Sequence, residues 1–375
     1  MNLLPPDHPL AGATSSSPLV RAYRGDRPES TPVWFMRQAG RSLPEYRALR
    51  TGTRMLDACL DPELASEITL QPVRRHGVDA AIFFSDIVVP LKLAGVGVDI
   101  VGGKGPVLEH PVRSAQDVAD LRAMTADGVD PALFEPVAQG VRATVAELGA
   151  IPLIGFAGAP FTLAAYLVEG GPSKDHLAAR TLMHADPEAW RDLMAWTADL
   201  TGAFLEAQVR AGASAAQLFD SWAGALCLAD YSRNVAWASR HALAGVRELR
   251  VATPDGVELG VPTVHFGVGT AHLLEAMHAV GVDVVGVDYR TPLDQAARAV
   301  PGVPLQGNVD PALLAAPWPV LEAHVLDVLD RGRAAPAHVL NLGHGVPPDT
   351  DPDVLTRVVE LVHGLVTSPR KLHLG

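Results

Sequence analysis

The stretch Val33–Arg47, VWFMRQAGRSLPEYR, shows in one place the pattern that repeats along this chain. Its apolar start, residues 32–36, is typical of a buried strand. A turn with Arg37 and Arg41 follows, and we expect Gly40 to let it bend sharply, because glycine tolerates backbone angles that other residues avoid. The stretch therefore predicts a strand that delivers two guanidiniums onto a tight turn.

A helix start follows the turn and completes a predicted site for anions. The segment Ser42–Glu45, SLPE, fits a capping box with an early proline, so a helix is expected to begin there. The two guanidiniums would then lie beside unpaired backbone N–H groups, and both kinds of donor bind anions. The alternative is a surface loop whose arginines pair with nearby Asp or Glu side chains. The strand–turn–helix context favours the anion site.

Seven further apolar runs each lead into a polar turn and a helix start. They occupy residues 80–85, 151–156, 215–219, 262–266, 282–287, 303–307 and 337–342. Pairs with proline second predict helix starts at 61–62, 186–187, 291–292 and 310–311. Eight such units indicate an α/β fold, a single (β/α)₈ TIM-type barrel. A doubly wound sheet is the main alternative, but the chain lacks the dinucleotide or phosphate loop that normally follows its first strand.

The remaining segments set the expected domain boundaries. Residues 1–20 mix Pro, Ser and Gly without period and predict a loose, flexible N-terminal tail. The barrel domain is expected over 21–366, with a short C-terminal tail at 367–375. Within the barrel, residues 95–112 alternate apolar residues with glycines, which predicts a hairpin excursion.

Composition excludes several classes of function. The 375 residues are 48% hydrophobic and 19% charged, and a formal net charge of −12 argues against nucleic acid or an anionic membrane as a partner. None of the four lysines ends an apolar run, so Schiff-base chemistry lacks its usual nucleophile. Cys59 and Cys227 are too few for a disulfide scaffold or a cysteine-rich zinc module. No signal peptide or membrane span is recognisable, so a cytoplasmic protein is expected by default.

Candidate site residues follow from the barrel, whose active site lies at the C-terminal ends of the strands. That position selects ten polar side chains: Arg37, Arg41, Asp86, Tyr166, Ser221, His265, Asp288, Gln306, Asn308 and His344. For some of them a structural role is favoured or stays open. We expect His265 to be a hydrogen-bonded barrel residue, and Asp288 has Arg290 or an adjacent loop as an alternative partner. Glycine or proline turns present Arg37, Arg41, Asp86 and His344, which favours a functional role for these four.

A metal site was weighed against this set. A related barrel layout places zinc on a His-x-Cys pair at one strand end and on a further Cys at another. Here the corresponding segments, 265–267 and 343–345, read HFG and GHG and contain no thiol. His265, His344 and Asp86 have no spacing that supports metal binding. A metal-free site is favoured.

Five motifs resemble those of the uroporphyrinogen decarboxylase family, and they occur in that family's order. They are PVWFMRQAGRSLPEYR at 32–47, FFSDIVVP at 83–90, GAPFTLAAYLVEG at 158–170, FDSWAG at 219–224 and NLGHGVPPDT at 341–350. The resemblance covers about residues 20–366, and MRQAGR and GHGVPPDT are its most specific parts. Two departures concern the pocket wall: Ser42 stands where many relatives carry an aromatic residue, and Trp222 stands where some have His.

The resemblance implies an activity, a substrate and a set of site residues. It implies a carboxy-lyase without a cofactor that removes carbon dioxide from the four acetate groups of uroporphyrinogen III and yields coproporphyrinogen III. It also implies a homodimer with one barrel per subunit. Carried onto this chain, the substrate-binding residues are Arg37, Gln38, Ala39, Gly40, Arg41, Asp86, Tyr166, Ser221 and His344, and the catalytic candidates are Asp86, Arg37, Tyr166 and His344.

The implied chemistry needs an electron sink that the substrate itself must supply. A pyrrole protonated on a ring carbon becomes a cationic iminium and accepts the electrons left by carbon dioxide. We hypothesise that ionised Asp86 stabilises this cation. The arginines would hold carboxylates that stay, because an ion pair on the leaving carboxylate would stabilise the ground state. The proton donor is open between Arg37, Tyr166, His344 and a water.

Two alternatives from other classes stay open at this point. One is a corrinoid-dependent methyltransferase of the same superfamily, which uses zinc and which the missing cysteines disfavour. The other is a non-catalytic tetrapyrrole-binding protein on the same scaffold, which Asp86 and His344 argue against.

Overall fold

The computed structural model describes residues 2–252 and 256–367. Its strands are β1 Ala81–Ile82, β2 Val98–Val101, β3 Gly105–Leu108, β4 Leu153–Gly158, β5 Ala215–Asp220, β6 Arg250–Ala252, β7 Glu258–Gly260, β8 Thr263–Gly267, β9 Val284–Gly286, β10 Leu305–Gln306 and β11 His338–Val339. Its α-helices are α1 Pro18–Tyr23, α2 Pro44–Leu49, α3 Met55–Leu60, α4 Pro62–His76, α5 Val89–Leu93, α6 Ala115–Ala123, α7 Glu135–Leu148, α8 Pro160–Glu169, α9 Leu177–Ala185, α10 Pro187–Arg210, α11 Leu228–Asn234, α12 Ala236–Glu248, α13 Leu274–His278, α14 Leu293–Ala299, α15 Trp318–Arg331 and α16 Pro352–Thr367.

Seven strands form one parallel sheet in the order β1-β4-β5-β8-β9-β10-β11. Each overlaps one of the apolar runs that the sequence predicted as strands, and β4, β5 and β8 extend one or two residues beyond the predicted end. The residues of β4 are all buried, as expected for a sheet covered on both faces. The helices that alternate with these strands surround the sheet, and the predicted α/β barrel class is confirmed.

The first predicted strand, residues 32–36, joins the two edges of this sheet. Val33 forms a parallel bridge to Leu340, next to β11, and Leu340 N–H donates to Pro32 O at 2.9 Å. On the other side, Asp79 N–H donates to Val33 O at 2.8 Å, just before β1. A carboxylate oxygen of Asp79 accepts Val33 N–H at 2.7 Å, where a strand would offer a carbonyl. The segment therefore completes the barrel without forming a regular ladder.

The predicted excursion is also present. Strands β2 and β3 pair in an antiparallel hairpin within residues 95–112, with Val98 opposite Leu108 and Val101 opposite Gly105. A second antiparallel hairpin, β6–β7, was not predicted. It flanks residues 253–255, which lie outside the described residues.

The N-terminal segment differs from the predicted loose tail, because it packs against the barrel. Leu10 and Leu19 are fully buried. His8 Nε2 lies 2.9 Å from Val209 O, and Arg250 N–H donates to Asn2 O at 2.8 Å. The Pro- and Ser-rich composition conceals a 3₁₀ turn at Pro9–Ala11 and the short helix α1, which Ser17 caps. Of the predicted C-terminal tail, residues 368–375 lie outside the described residues.

Three predicted helix starts need correction. Helix α2 begins at Pro44 as expected, but its N-cap is Leu43 and no capping box forms, since the Ser42 hydroxyl is buried away from the helix N–H groups. Thr291 does not cap α14, whose N-cap is Pro292. Asp310 caps a 3₁₀ turn instead of an α-helix. The pairs at 61–62 and 186–187 begin α4 and α10, each with the aspartate as N-cap.

Candidate active site

The turn that carries Arg37 is held from both sides in an uncommon conformation. Arg37 has a φ of 60°, in the left-handed region that costs a residue with a Cβ about 1 kcal/mol or more. On its N-terminal side, Met36 N–H donates to Asn341 Oδ1 at 2.9 Å, and Met36 O accepts Val346 N–H at 2.9 Å. The sharp bend expected at Gly40 is therefore made at Arg37. Gly40 instead lies close to the Arg37 carbonyl.

Gln38 supports the turn from inside the protein. Its side chain is fully buried, Oε1 accepts Phe35 N–H at 3.0 Å, and Nε2 donates to Ala80 O at 3.1 Å. The Gln38 amide therefore ties the loop to the start of β1. Ala39 and Gly40, the other predicted loop residues, are partly exposed.

The two arginines of the loop are exposed and have no acidic partner. Among the described residues, no carboxylate oxygen comes within 4.0 Å of Arg37 or Arg41. Other arginines of the chain are paired; Arg75, for example, lies 2.7 Å from Glu45. The alternative of a surface loop with internally paired arginines is thus not what the structure shows. Both guanidiniums keep their donors available for an anion from outside the chain.

His344 lies on a loop that packs between Arg37 and Tyr289. A Cβ added to Gly345 would lie 2.5 Å from Arg37 Cδ, and one added to Gly343 would lie 2.1 Å from Tyr289 N. Gly343 therefore has no room for a side chain beside the Tyr289 backbone, Gly345 packs directly on the Arg37 side chain, and this close packing places His344 beside Arg37. His344 Nδ1 accepts Gly345 N–H at 2.7 Å, which leaves the proton of the neutral ring on Nε2.

The charge state of His344 follows from its neighbours. Partial desolvation of the ring lowers the pKa of His344, the positive charges of Arg37 and Arg290 lower it further, and Asp288 opposes them. The ring is therefore mostly neutral at pH 7. The neutral ring can donate a hydrogen bond from Nε2. It is a much weaker acid than an imidazolium and therefore a poor proton donor.

Asp86 follows β1 and supplies the carboxylate of the site. Its Oδ1 accepts Val88 N–H at 3.1 Å, and no Lys, Arg or His nitrogen of the described residues lies within 4.0 Å. Desolvation raises the pKa of Asp86, while the Val88 N–H and the charge of Arg37 lower it. The side chain is thus a desolvated acid near Arg37 without a direct ion-pair partner.

Tyr166 lies on α8 within electrostatic reach of the same pair. Burial and the charge of Asp86 raise the pKa of Tyr166 to about 12, and Arg37 opposes this shift. The phenol therefore keeps its proton at neutral pH. Its ring stacks on Trp222, with the centroids 3.9 Å apart and the planes at 27°, and His176 stacks on the same indole at 4.3 Å and 22°.

Ser221 lies at the end of β5, between Trp222 and the buried Asp220. Asp220 Oδ1 accepts the Thr162 hydroxyl at 2.8 Å, and Oδ2 lies 3.6 Å from His265 Nε2. His265 is fully buried, as expected of a barrel residue. These contacts anchor the end of β5, and Ser221 follows directly as a partly exposed residue.

Two further strand-end candidates have structural roles. Gln306 lies inside the barrel, where Oε1 accepts the Tyr23 hydroxyl at 2.5 Å and Nε2 donates to Gln217 Oε1 at 3.1 Å. Asn308 is buried and donates to the backbone of Asp288 at 2.8 Å. Among the predicted site residues, Arg37 interacts electrostatically with Asp86, Tyr166 and His344, and Asp288 also acts on His344.

Comparison with known proteins shows the family of this chain. The family model described as "Uroporphyrinogen decarboxylase (URO-D)" matches residues 14–365. The chain belongs to the uroporphyrinogen decarboxylase family. A relative from Leifsonia xyli subsp. xyli (strain CTCB07), named uroporphyrinogen decarboxylase, is 69% identical over 369 residues, which are 96% of this chain and 98% of the relative. One of the same name from Arthrobacter sp. (strain FB24) is 67% identical over 357 residues, 95% of this chain and 99% of the relative.

Membership of this family confirms two sequence predictions, the activity and the enzyme class: the chain is a carboxy-lyase of the decarboxylase type. A solved methyltransferase from Methanosarcina mazei shares the fold, with a TM-score of 0.76, 17% identity, and coverage of 94% of this chain and 99% of that one. At that identity the likeness concerns the fold alone. Within the described residues, no three His, Cys, Asp or Glu side chains lie close enough together to hold a metal ion.

Sequence reasoning missed two features of the candidate site in this member of the uroporphyrinogen decarboxylase family. The first is the stacking of Tyr166, Trp222 and His176, of which the sequence shows only that Trp222 departs from relatives. The second is the position of Arg290 near His344, since the sequence suggests Arg290 only as a partner of Asp288. Neither feature has a local sequence signal, because each joins elements that are distant along the chain.

Proposed function

We propose that this chain decarboxylates the four acetate groups of uroporphyrinogen III to give coproporphyrinogen III, using its own side chains as the polar groups of the site. The observation that carries the proposal is that the candidate site combines two exposed arginines with one desolvated carboxylate, Asp86. Neither the arginines nor Asp86 has an ion-pair partner among the described residues. A polyanionic substrate that becomes cationic in its rings matches both charges. The family assignment supports the same substrate.

In this proposal Arg37 and Arg41 orient the substrate. They bind carboxylates that remain on the product, because a guanidinium on the departing carboxylate would stabilise the starting state and slow its loss. Their donors are not occupied by acidic side chains of the described residues, so binding breaks no ion pair within the site. Holding the retained carboxylates turns one acetate towards the reacting position.

Asp86 acts on the transition state. Protonation of a pyrrole carbon makes the ring an iminium cation; the bond between the acetate methylene and its carboxylate then breaks, and its electron pair neutralises the cation. A proton is added to the methylene carbon to form a methyl group, and the first proton leaves the ring carbon, so the net change is replacement of carbon dioxide by hydrogen. A carboxylate beside the ring stabilises the cation most when its charge is full.

Tyr166 and His344 serve as neutral hydrogen-bond donors in this scheme. The pKa of Tyr166, raised to about 12, makes the phenol a weaker acid than usual, and the lowered pKa of His344 leaves its ring neutral. Both shifts disfavour these groups as donors of the carbon-bound proton. Of the remaining two predicted donors, Arg37 and a water, a guanidinium does not give up its proton in proteins, so we propose that a water held near Arg37 delivers the proton.

The experiment that tests the activity is anaerobic incubation with uroporphyrinogen III, followed by oxidation and chromatography of the porphyrins. We expect intermediates with seven, six and five carboxylates, and then coproporphyrin. Binding without any loss of carbon dioxide would contradict the proposal and support a tetrapyrrole-binding protein. Activity that requires added zinc and a thiol substrate would instead support the methyltransferase alternative.

Two further expectations belong to this proposal and rest on the family resemblance. We propose a homodimer with one barrel in each subunit, which light scattering coupled to size-exclusion chromatography would test; a monomeric mass at micromolar concentration would contradict it. We also propose a cytoplasmic location, which cell fractionation would test. Among the helices of the described residues, none combines the length and apolar character of a membrane span.

A further inference from the structure

A third arginine lies at the site on the far side of the His344 loop. Arg290 follows β9 at the C-terminal end of the barrel strands. The loop GHG, residues 343–345, packs with Gly345 against Arg37 and with Gly343 against Tyr289, the neighbour of Arg290. His344 is thus flanked by Arg37 on one side and by the Tyr289–Arg290 segment on the other.

The guanidinium of Arg290 is held in place by Asp288 and by the ring of Tyr289. Its Nη1 donates to Asp288 Oδ2 at 2.5 Å, and its Cζ lies 4.5 Å from the centre of the Tyr289 ring. Asp288 is itself fixed, since the same Oδ2 accepts Gly269 N–H at 2.7 Å. Two contacts of different kinds therefore restrict the orientation of this arginine.

The partners of this ion pair differ sharply in exposure. The side chain of Asp288 is only 2% exposed, whereas that of Arg290 is 50% exposed. An arginine has five N–H donors in a planar fork, and the ion pair uses Nη1. A buried carboxylate thus orients a half-exposed arginine that has donors besides Nη1 for a second carboxylate, and arginine can bind a carboxylate through two such donors.

We propose that Arg290 is a further substrate-binding residue, which holds a retained carboxylate of the tetrapyrrole on the side of His344 opposite Arg37. This inference rests on the proposed function and adds a residue to its site. With Arg37 and Arg41 on one side only, an eight-carboxylate macrocycle could pivot about that contact. A third guanidinium across the His344 loop fixes the ring plane and so determines which acetate reaches Asp86.

The electrostatics of His344 agree with this placement. Arg37 and Arg290 both lower the pKa of His344, so both charges are close enough to act on its ring. A substrate carboxylate bound to either arginine would therefore lie in the same part of the candidate site as the His344 ring. Arg290 also differs from the ion-paired surface arginines, because its acidic partner is buried.

The test compares Arg290→Gln with a matched control, Arg142→Gln. Arg142 lies on the outer helix α7, is also 50% exposed, and pairs with Glu135 at 2.5 Å. Both variants remove the charge of an ion-paired arginine whose side chain is half exposed; the acidic partner is buried for Arg290 and exposed for Arg142. We expect Arg290→Gln to raise KM for uroporphyrinogen III, and its Kd by quenching of tryptophan fluorescence, about tenfold, with a smaller change in kcat. Arg142→Gln should stay within about twofold of the unaltered chain.

A second variant controls for the buried Asp288 carboxylate, which Arg290→Gln leaves without its ion-pair partner and which could itself raise KM. In the double variant Asp288→Asn/Arg290→Gln both partners are neutral, so a rise in KM that persists there reflects the lost contact with the substrate. Proton NMR should also show the pKa of His344 raised in Arg290→Gln and unchanged in Arg142→Gln. An Arg290→Gln protein that folds with KM and Kd within twofold of the unaltered chain would overturn the inference, as would recovery of KM in the double variant.

The same measurements separate this inference from the proposed function. If the unaltered chain binds uroporphyrinogen III but does not convert it, the proposed function fails, and Kd alone decides the role of Arg290. If the unaltered chain converts the substrate while Arg290→Gln leaves KM and Kd unchanged, only the inference fails. A chain that does not bind uroporphyrinogen III at all overturns both.

Discussion

Replacing Asp86 with asparagine would remove one charge from the site and leave the local hydrogen bond in place. Asp86 Oδ1 accepts Val88 N–H at 3.1 Å, and an amide oxygen in the same position can accept it equally. No cationic nitrogen of the described residues lies within 4.0 Å, so the full charge of the carboxylate is available to the substrate. The variant therefore tests the charge itself.

The expected loss of kcat in Asp86→Asn follows from the absence of an ion-pair partner for Asp86 among the described residues. A preorganised group aimed at charge that develops in a desolvated site contributes about 10²- to 10³-fold to kcat. We expect Asp86→Asn to lose that much, with Kd for uroporphyrinogen III changed far less. Desolvation raises the pKa of Asp86, so the ionised carboxylate destabilises the folded protein when no substrate is bound. The thermal midpoint of the variant should therefore be unchanged or higher.

The assay measures kcat from coproporphyrin formation under anaerobic conditions and Kd by tryptophan quenching. Asp130→Asn is a matched control, because Asp130 Oδ1 also accepts the N–H two residues on, that of Ala132, at 2.9 Å, in an exposed turn. It should leave kcat unchanged. The unaltered chain should lose activity as the pH falls through the raised pKa of Asp86, and the variant should lack that limb. A variant that keeps more than about a tenth of kcat would refute the reasoning.

Three further outcomes are expected. Trp222→Ala removes two stacking contacts and should lower the free energy of unfolding by about 1–3 kcal/mol, and with it the thermal midpoint. It should also lower kcat/KM, since the Tyr166 ring loses its stacking partner. Trp222→His should lose less of both. Asp79→Ala should cost about 1–3 kcal/mol of unfolding free energy, because Val33 N–H loses its acceptor at barrel closure, and Asp79→Asn should cost less. Burial lowers the pKa of His338 to about 4 from an ordinary 6.5, so stability should fall by up to about 3 kcal/mol as the pH drops from 6.5 to 4.

Each of these three has a measurement and a contradicting result. Thermal unfolding of the two Trp222 variants decides the first, and equal midpoints would show that stacking is not the cause. Chemical denaturation of the Asp79 variants at pH 7 decides the second, and an unaffected Asp79→Ala protein would contradict the closure role. For the third, denaturation between pH 7 and 4 should show a weaker pH dependence in His338→Gln than in the unaltered chain, and an equal pH dependence would contradict the role of His338.

Much of the barrel could be predicted because its signals are local. The seven strands of the sheet overlap the predicted apolar runs, and Asp61 and Asp186 cap their helices as their sequence context indicates. These features depend on residues a few positions apart, and so they can be read along the chain. The N-terminal segment was misjudged because its burial depends on contacts such as that of His8 with Val209, which no local composition reveals.

The sequence by itself determined the order of strands, the loop with two arginines, and the family motifs that contain Asp86 and His344. Only the tertiary structure decided which charges are paired. Arg37 and Arg41 have no acidic partner among the described residues, and Arg290 is held by a buried carboxylate. The physical reason is that the interaction of a charged side chain with a ligand depends on its exposure to solvent and on the distance to its nearest counter-charge. Both are set by contacts between segments that are far apart in sequence.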